Sequence, residues 1–196
     1  MICIINYGGG NVKSVTNLLQ SLGCEFLVTN KENDILNAQR IIFPGQGHFG
    51  QSMSVLKEQK LDFTIHRAIE KRIPFLGICV GLQVLFENSE EAPTEKGLGL
   101  LKGSVIKYKS GKTPQIGWNK ITTTSQNTFL SDDYYYFVNS YYVSPIDKTI
   151  ISSTADYNGE FCTSIEKENL AAVQFHPEKS GTAGLNAFKQ WLSNKY

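Results

Sequence analysis

Apolar and polar positions along the first half of the chain form blocks of two kinds. Short apolar runs are typical of buried strands, and apolar residues spaced three and four apart are typical of amphipathic helices. The predicted strands are ICIIN (2–6), EFLVT (25–29), RIIFPG (40–45) and IPFLGI (73–78). The predicted helices span residues 11–22 and 52–72, and a third helix begins near Gly81. Strands that alternate with helices favour a parallel sheet with helices on both faces.

The second half of the chain is richer in β-branched and aromatic residues. Short runs divided by Gly, Pro and Asn predict strands at GSVIKYK, NKITTT, YYYFVNSYYV, TIISSTADY, FCTSIEKENL and LAAVQFH. These runs predict antiparallel additions to the sheet and a small side sheet, and an amphipathic helix over about 182–194 follows them. We therefore expect one α/β domain over residues 1–196, with an open, mixed, mainly parallel sheet flanked by helices and a small antiparallel addition.

Composition and charge narrow the choice of partners. The formal net charge of +1 and the scattered Lys and Arg residues give no reason to expect nucleic acid or an anionic membrane. The N-terminal MICIINYGGG has no basic region and no long apolar run, so it predicts a first strand rather than a signal peptide. The four cysteines lie far apart, without CxxC or metal-ligand spacing. We expect a reduced cytoplasmic compartment, no metal and no cofactor.

The candidate nucleophile is Cys79, at the centre of GICVG (77–81) between a predicted strand and a predicted helix. This is the cysteine form of a nucleophile elbow, a sharp turn that exposes a reactive side chain. Glycines two residues to either side leave room for the strained backbone, and the N-terminus of the following helix favours a thiolate. Backbone N–H groups there suit an oxyanion. The alternative is a buried structural cysteine, which is how we interpret Cys3, Cys24 and Cys162.

The candidate base is His176, which follows an apolar run and precedes a proline. Because proline disfavours a helical conformation at the residue before it, we expect His176 at a strand end that faces a cleft. Glu178 follows two residues later, so Cys79, His176 and Glu178 repeat the nucleophile–base–acid logic of a triad. The alternative is a structural histidine at a strand end. His66 falls within a predicted helix, and His48 lacks a following carboxylate.

Taken together, GICVGLQ (77–83) and QFHPEKS (174–180) resemble the motifs of the class I, triad-type glutamine amidotransferases. Four further motifs are similar to those of the glutaminase subunits of imidazole glycerol phosphate synthase, and these are NYGGGNVKS (6–14), FPGQGHFG (43–50), PQIGWN (114–119) and YYFVNSYY (135–142). The six motifs occur in the family's order over nearly the whole chain. The resemblance implies a flavodoxin-like class I amidotransferase fold and a glutaminase that supplies ammonia to a synthase.

The resemblance also implies roles for single residues. Cys79 is expected to attack the side-chain amide of glutamine to give a thioester and ammonia. His176 is expected to move the protons, while Glu178 holds the imidazole. The family's oxyanion strand, where a peptide N–H must turn inward, is expected at Gly45, Gln46 and Gly47. The backbone N–H of Val80 is expected to be the second oxyanion donor. The contacts to the end groups of the substrate are assigned to Gln83, Ser140 and Tyr141.

The partner implied by the resemblance is a TIM-barrel cyclase subunit in a heterodimer. Its central passage is expected to carry ammonia to a phosphorylated ribulosyl substrate on the route to histidine. The residues expected to face this partner are Asn11, Trp118, Tyr136 and Lys179. The alternative for the two aromatic residues is simple strand packing. The glycine-rich segment 8–10 lies beside this interface in the family, and it lacks the dinucleotide and P-loop fingerprints of a phosphate-binding loop.

Three positions depart from the family's pattern. Asn6 stands where Asp is usual, Gln46 where a small or aliphatic residue is usual, and Asn139 where His is usual. None belongs to the triad. They leave open a paralogue that supplies ammonia to a different synthase, for example one that forms an amidino-sugar for surface polysaccharide. A non-catalytic binding subunit with the same fold is a third hypothesis, and the complete Cys, His and Glu set argues against it.

Overall fold

The computed structural model describes residues 1–194 of the chain. Its strands, β1 to β13 in chain order, are Ile2–Ile5, Phe26–Thr29, Arg40–Gly45, Phe75–Cys79, Asn88–Ser89, Gly103–Lys107, Gln115–Lys120, Thr122–Thr123, Tyr134–Asn139, Tyr141–Pro145, Ile151–Asp156, Glu160–Lys167 and Leu170–Val173. Its α-helices, α1 to α6, are Val12–Ser21, Glu32–Leu36, Phe49–Glu58, Leu61–Glu70, Val80–Gln83 and Gly181–Ser193. Short 3-10 turns lie at Lys148–Ile150 and Pro177–Lys179. Within residues 1–194, no helix has the length and apolar character needed to cross a membrane.

The main sheet follows the order β2-β1-β3-β4-β13-β12-β10-β6-β5. Its first five strands are parallel, and their order is that of a flavodoxin-like sheet. The strands β12, β10 and β6 continue the sheet through antiparallel pairings, and β11 and β8 extend it from β12. A separate antiparallel ribbon consists of β7 and β9. The predicted mixed, mainly parallel α/β sheet with a small antiparallel addition is confirmed.

The central strands are apolar because they are buried along their whole length. Every side chain of β1, β4 and β13 is buried, as expected for parallel strands that helices cover on both faces. The largest enclosed side chains include Phe43, Phe75 and Trp191, and burying one such side chain stabilises the fold by roughly 1.5–3 kcal/mol. This rigid centre sets Gly45 of β3 beside Cys79 of β4 at the carboxyl edge of the sheet.

The ribbon of β7 and β9 has one buried face and one exposed face. Tyr135 and Phe137 are fully buried and pack against Phe175, with ring centroids 4.3 and 5.6 Å away. On the opposite face, Ile116 and Trp118 are 64% and 56% exposed. The alternation of strand side chains therefore anchors the ribbon to the body and leaves an outer face that is apolar apart from Lys120.

Three element predictions are wrong in detail. The run LAAVQFH was expected among the antiparallel additions, yet its strand β13 is a parallel neighbour of β4 at the centre of the sheet. The single helix predicted over 52–72 is divided into α3 and α4, because Lys60 adopts a left-handed conformation with φ of 58°. The helix predicted from Gly81 is α5, which is four residues long.

Candidate active site

Cys79 occupies a strained turn between β4 and α5. Its φ of 55° and ψ of −108° lie outside the regions that a residue with a side chain normally adopts, and such strain persists where the surrounding structure holds it. A Cβ atom on Gly77 would come within 2.6 Å of the Gly81 carbonyl oxygen, and one on Gly81 within 2.2 Å of the Phe43 carbonyl oxygen. Both positions therefore require glycine for the chain to make this turn.

The helix after the turn contributes less than the sequence predicts. It ends at Gln83, and four residues align too few peptide dipoles for a sizeable charge at the helix N-terminus. Cys79 itself is 5% exposed and lies in the wall of a cavity. Electrostatic support for a thiolate must therefore come from neighbouring side chains.

His176 lies just beyond β13, at the edge of the sheet where β4 also ends. Its backbone N–H donates to the Tyr136 carbonyl oxygen over 2.9 Å, which ties the residue to the ribbon. Its ring Nδ1 is 2.8 Å from Glu178 Oε1, and His176 lines the same cavity as Cys79. The structure thus brings together the three residues that the sequence predicts as a triad.

The charges around His176 favour a protonated imidazole. Burial alone lowers the pKa of His176, but hydrogen bonds and charges from Cys79 and Glu178 outweigh burial and raise that pKa from 6.5 to about 10. The His176 and Glu178 side chains are 3% and 1% exposed, so water screens this interaction little. A proton that leaves the Cys79 thiol consequently has a favourable place on the imidazole.

A cavity of about 240 Å³ opens beside the sulfur of Cys79. Besides Cys79 and His176, its lining includes six of the seven residues predicted to bind glutamine, namely Gln46, Gly47, Val80, Gln83, Ser140 and Tyr141. The seventh, Gly45, does not line the cavity; a Cβ atom there would come within 2.3 Å of the Gly81 nitrogen. A larger cavity of about 470 Å³, between residues 127–131 and α6, has no Cys, His, Asp or Glu in its lining. The smaller cavity is therefore the candidate active site, because it contains the candidate nucleophile and base.

Two polar residues were not predicted, one behind Cys79 and one in the cavity lining. Gln174 is fully buried, and its Nε2 donates to Cys79 Sγ over 3.7 Å. Glu91 is the single carboxylate in the cavity lining, and its Oε2 accepts a hydrogen bond from the Phe49 backbone N–H over 2.6 Å. Gln174 lies in the QFHPEKS motif, but the resemblance gives it no role. Glu91 is 42 positions from its hydrogen-bond partner Phe49, so no local sequence pattern indicates it.

The residues predicted to face a partner lie on or next to the ribbon. Trp118 and Tyr136 are cross-strand neighbours, with their ring centroids 6.0 Å apart in an edge-to-face arrangement. Because Trp118 is 56% exposed, strand packing alone does not account for it. Lys179 lies in the 3-10 turn that follows His176, and Asn11 caps α1, which packs against that turn.

The remaining cysteines and histidines have structural surroundings. Burial raises the pKa of the Cys3 and Cys162 thiols to about 12, and Cys24 is half-buried against the core. The His66 ring is 2.9 Å from a backbone carbonyl oxygen. His48 caps α3 and lines a neighbouring cavity. None of them is among the residues that line the cavity beside Cys79.

Comparison with known proteins places this site in a family. The family profile "Glutamine amidotransferase class-I" matches residues 3–193. The chain is 43% identical to imidazole glycerol phosphate synthase subunit HisH of Dehalococcoides mccartyi, covering 100% of both chains. It is 40% identical to subunit HisH 1 of Methanococcus maripaludis, covering 98% of each.

Solved structures share the fold at low sequence identity. A glutamine amidotransferase crystal structure has a TM-score of 0.79 at 16% identity, with 98% of this chain and 97% of that chain covered. PurLQS from Thermotoga maritima has a TM-score of 0.76 at 21% identity, with 97% and 96% covered. Profile, relatives and fold agree, and the chain belongs to the class I glutamine amidotransferase family.

Proposed function

We propose that this chain is the glutaminase subunit of an imidazole glycerol phosphate synthase. It hydrolyses L-glutamine to glutamate and delivers the ammonia to a cyclase subunit that makes imidazole glycerol phosphate and aminoimidazole carboxamide ribotide in histidine biosynthesis. The observation that carries the proposal is Cys79 on a strained turn, in the wall of the same cavity as His176, whose ring is hydrogen-bonded to Glu178. Full-length similarity to HisH relatives supports the choice of ammonia acceptor. We further propose that residues 1–196 form one amidotransferase domain that works in the cytoplasm.

The chemistry begins with transfer of the Cys79 proton to His176, whose raised pKa favours holding it. The sulfur attacks the side-chain amide carbon of glutamine, the C–S bond forms, and the carbonyl electron pair moves onto oxygen. When this oxyanion collapses, the C–N bond breaks, and the leaving nitrogen takes the proton from His176 and departs as ammonia. Water then attacks the thioester while His176 accepts its proton. The C–S bond breaks, glutamate leaves, and the thiol is restored.

The oxyanion needs two N–H donors aimed at the position where negative charge develops. The proposed donors are the backbone N–H of Val80, which follows the nucleophile, and a peptide N–H within residues 45–47. Gly47 has φ of 108°, a conformation that glycine adopts without strain, so this peptide is free to change its direction. Loss of one oxyanion donor typically slows turnover by about 10²–10³-fold. A peptide that turns inward on partner binding therefore offers a route to activation.

The head group of glutamine carries a positive and a negative charge, and the cavity offers a different partner for each. Glu91 is the single carboxylate in the lining, so it is the proposed partner of the α-ammonium group. Among residues 1–194, neither Lys nor Arg lines the cavity. The α-carboxylate is therefore bound by neutral N–H and O–H donors, which we assign to Ser140 and Tyr141. Gln83 commits both side-chain N–H groups to Tyr141 and Gln174, so its Oε1 is the proposed second acceptor for the α-ammonium group.

The proposed docking surface for the TIM-barrel cyclase is the outer ribbon face, which we define as Ile116, Trp118, Tyr134 and Tyr136. The first three are 64%, 56% and 55% exposed, and apolar patches of this kind mark interaction sites. The Tyr136 carbonyl accepts the His176 backbone N–H. Contact with this face is therefore linked to the catalytic base by one hydrogen bond.

Glutamate release from glutamine tests the proposal, measured for the purified chain alone and then with the cyclase and a ligand of the cyclase site. We expect strong stimulation by the cyclase. If the mixture consumes no glutamine, the glutaminase assignment fails. If the cyclase does not change the rate of glutamine hydrolysis, the acceptor assignment fails, and the hypothesis of a paralogue that supplies another synthase replaces it. Restoration of histidine prototrophy in a strain that lacks the subunit separates these two acceptors independently.

A further inference from the structure

Gln174 is an amide neighbour of the nucleophile that has no role in the proposed mechanism. Gln174 follows β13 directly and is fully buried. Its Nε2 donates to Cys79 Sγ over 3.7 Å. A neutral thiol is a weak acceptor, whereas hydrogen bonds to an ionised acceptor are about twice as strong as neutral ones. The contact therefore gains most of its strength when the sulfur is charged.

The orientation of the Gln174 amide follows from its neighbours. The Tyr141 carbonyl can only accept, so Gln83 must present Nε2 to it, and the two atoms are 3.1 Å apart. The same Gln83 Nε2 donates to Gln174 Oε1 over 3.0 Å. With Oε1 held by a donor, Gln174 has to turn its Nε2 towards the sulfur. Flipping either amide would set like groups against each other.

A buried amide at the other end of the same strand shows what a structural role looks like. Asn169 precedes β13, and its Nδ2 donates to the Ile69 and Ile73 carbonyl oxygens over 3.2 and 2.8 Å. The Ile69 carbonyl also accepts from the Arg72 backbone N–H over 2.9 Å, so the Asn169 amide joins the end of α4 to the residue before β4 and stabilises the fold. Gln174 instead directs its donor at a side-chain sulfur. That difference indicates a role in chemistry rather than in folding.

We propose that Gln174 is a catalytic residue of the glutaminase reaction, which hydrogen-bonds the Cys79 sulfur through Nε2 and stabilises the thiolate that attacks glutamine. The inference rests on the proposed function and deepens it. Gln174 exchanges no proton and forms no covalent bond; the thiol proton still goes to His176. Because Gln174 Oε1 is held by Gln83, the same pair of amides joins the nucleophile to the wall of the glutamine cavity.

The experiment is the pH dependence of Cys79 alkylation by iodoacetamide, followed by mass spectrometry of the Cys79 peptide. This reaction needs neither glutamine nor the cyclase, so its result does not depend on the proposed function. Gln174→Met keeps the length of the side chain and removes the donor. We expect the pH midpoint of alkylation to rise by about one unit, and the rate at neutral pH to fall about tenfold.

Asn169→Leu is the matched control, since it removes a buried amide of similar exposure from the opposite end of β13. It should lower thermal stability without moving the alkylation midpoint. Gln174→Glu is a second variant of nearly unchanged shape, and its carboxylate should slow alkylation at neutral pH more than the methionine does. An alkylation profile for Gln174→Met that matches wild type, or that shifts no more than the control, would overturn the inference.

Turnover in the complex with the cyclase supplies a second readout. If Gln174 acts on the sulfur, Gln174→Met should lower kcat by about tenfold or more. A rise in KM with unchanged kcat would instead mean that Gln174 acts only by holding Gln83, which would contradict the inference. Shifted alkylation in a chain whose wild type hydrolyses no glutamine would defeat the proposed function alone.

Discussion

Replacement of Ser180 by Ala tests the link between the ribbon and the catalytic base. Ser180 is 1% exposed. Its Oγ accepts from the Tyr136 backbone N–H over 2.9 Å and donates to the His176 carbonyl oxygen over 2.7 Å. Alanine leaves the Tyr136 N–H without this partner, which costs about 1–3 kcal/mol for a buried group. The His176 carbonyl oxygen keeps the Lys179 backbone N–H at 2.9 Å, so it loses one of two hydrogen bonds, worth about 0.5–1.5 kcal/mol. The substitution should therefore destabilise the fold by about 1.5–4.5 kcal/mol.

Urea unfolding measures the first consequence of Ser180→Ala, and glutamate release in the presence of the cyclase measures the second. A loss of this size is a large fraction of the roughly 5–15 kcal/mol of a typical domain. Because the ribbon loses one of its attachments to the His176 turn, stimulation by the cyclase should fall more than the basal rate does. Ser193→Ala is the matched control, since it removes an exposed hydroxyl that donates within α6. Stability within about 0.5 kcal/mol of wild type, or undiminished stimulation, would refute the reasoning.

Three further predictions follow from the site. The folded pKa of His176 is raised to about 10. The stability that wild type gains over His176→Asn should therefore be complete below pH 6.5 and lost as the pH rises through 10. Denaturant titrations across this range check the sign, and a stability advantage that grows with pH would contradict it. Gly81→Ala places a Cβ atom within 2.2 Å of a carbonyl oxygen, so it should lower the stability of the fold by about 1–3 kcal/mol and slow alkylation of Cys79. Wild-type stability and a wild-type alkylation rate would contradict the requirement for glycine at this position. Trp118→Ala should weaken cyclase binding by about 2 kcal/mol or more in calorimetry, while Phe63→Ala, at a still more exposed aromatic on α4, should leave it unchanged. Equal losses for both variants would count against the docking surface.

The fold was predictable from the sequence where the signal is local. Alternating strands and helices identified the parallel half, because burial on both faces leaves a continuous apolar run. The place of β13 beside β4 was missed, since strand order depends on pairings between segments, and the paired residues of these two strands are 95 positions apart. The break between α3 and α4 was missed as well, because Lys60 enters a left-handed conformation without a glycine or proline to mark it.

The candidate site, like the fold, was predictable from the sequence where the signal is local. Cys79, His176 and Glu178 lie in short motifs whose spacing implies their geometry. Gln174 and Glu91 acquire their places only through tertiary contacts, with Cys79 and with the N-terminus of α3 respectively. No spacing rule connects residues that meet in this way, so their contribution becomes visible only in three dimensions.

The most direct test of the account compares two nitrogen sources in the complex with the cyclase. The rate of imidazole glycerol phosphate formation is measured for wild type and for Cys79→Ala, first with glutamine and then with ammonium salt. The account predicts that Cys79→Ala forms product from ammonium at the wild-type rate and forms none from glutamine. Product from glutamine at a rate near that of wild type would contradict the role of Cys79 as the nucleophile that releases ammonia.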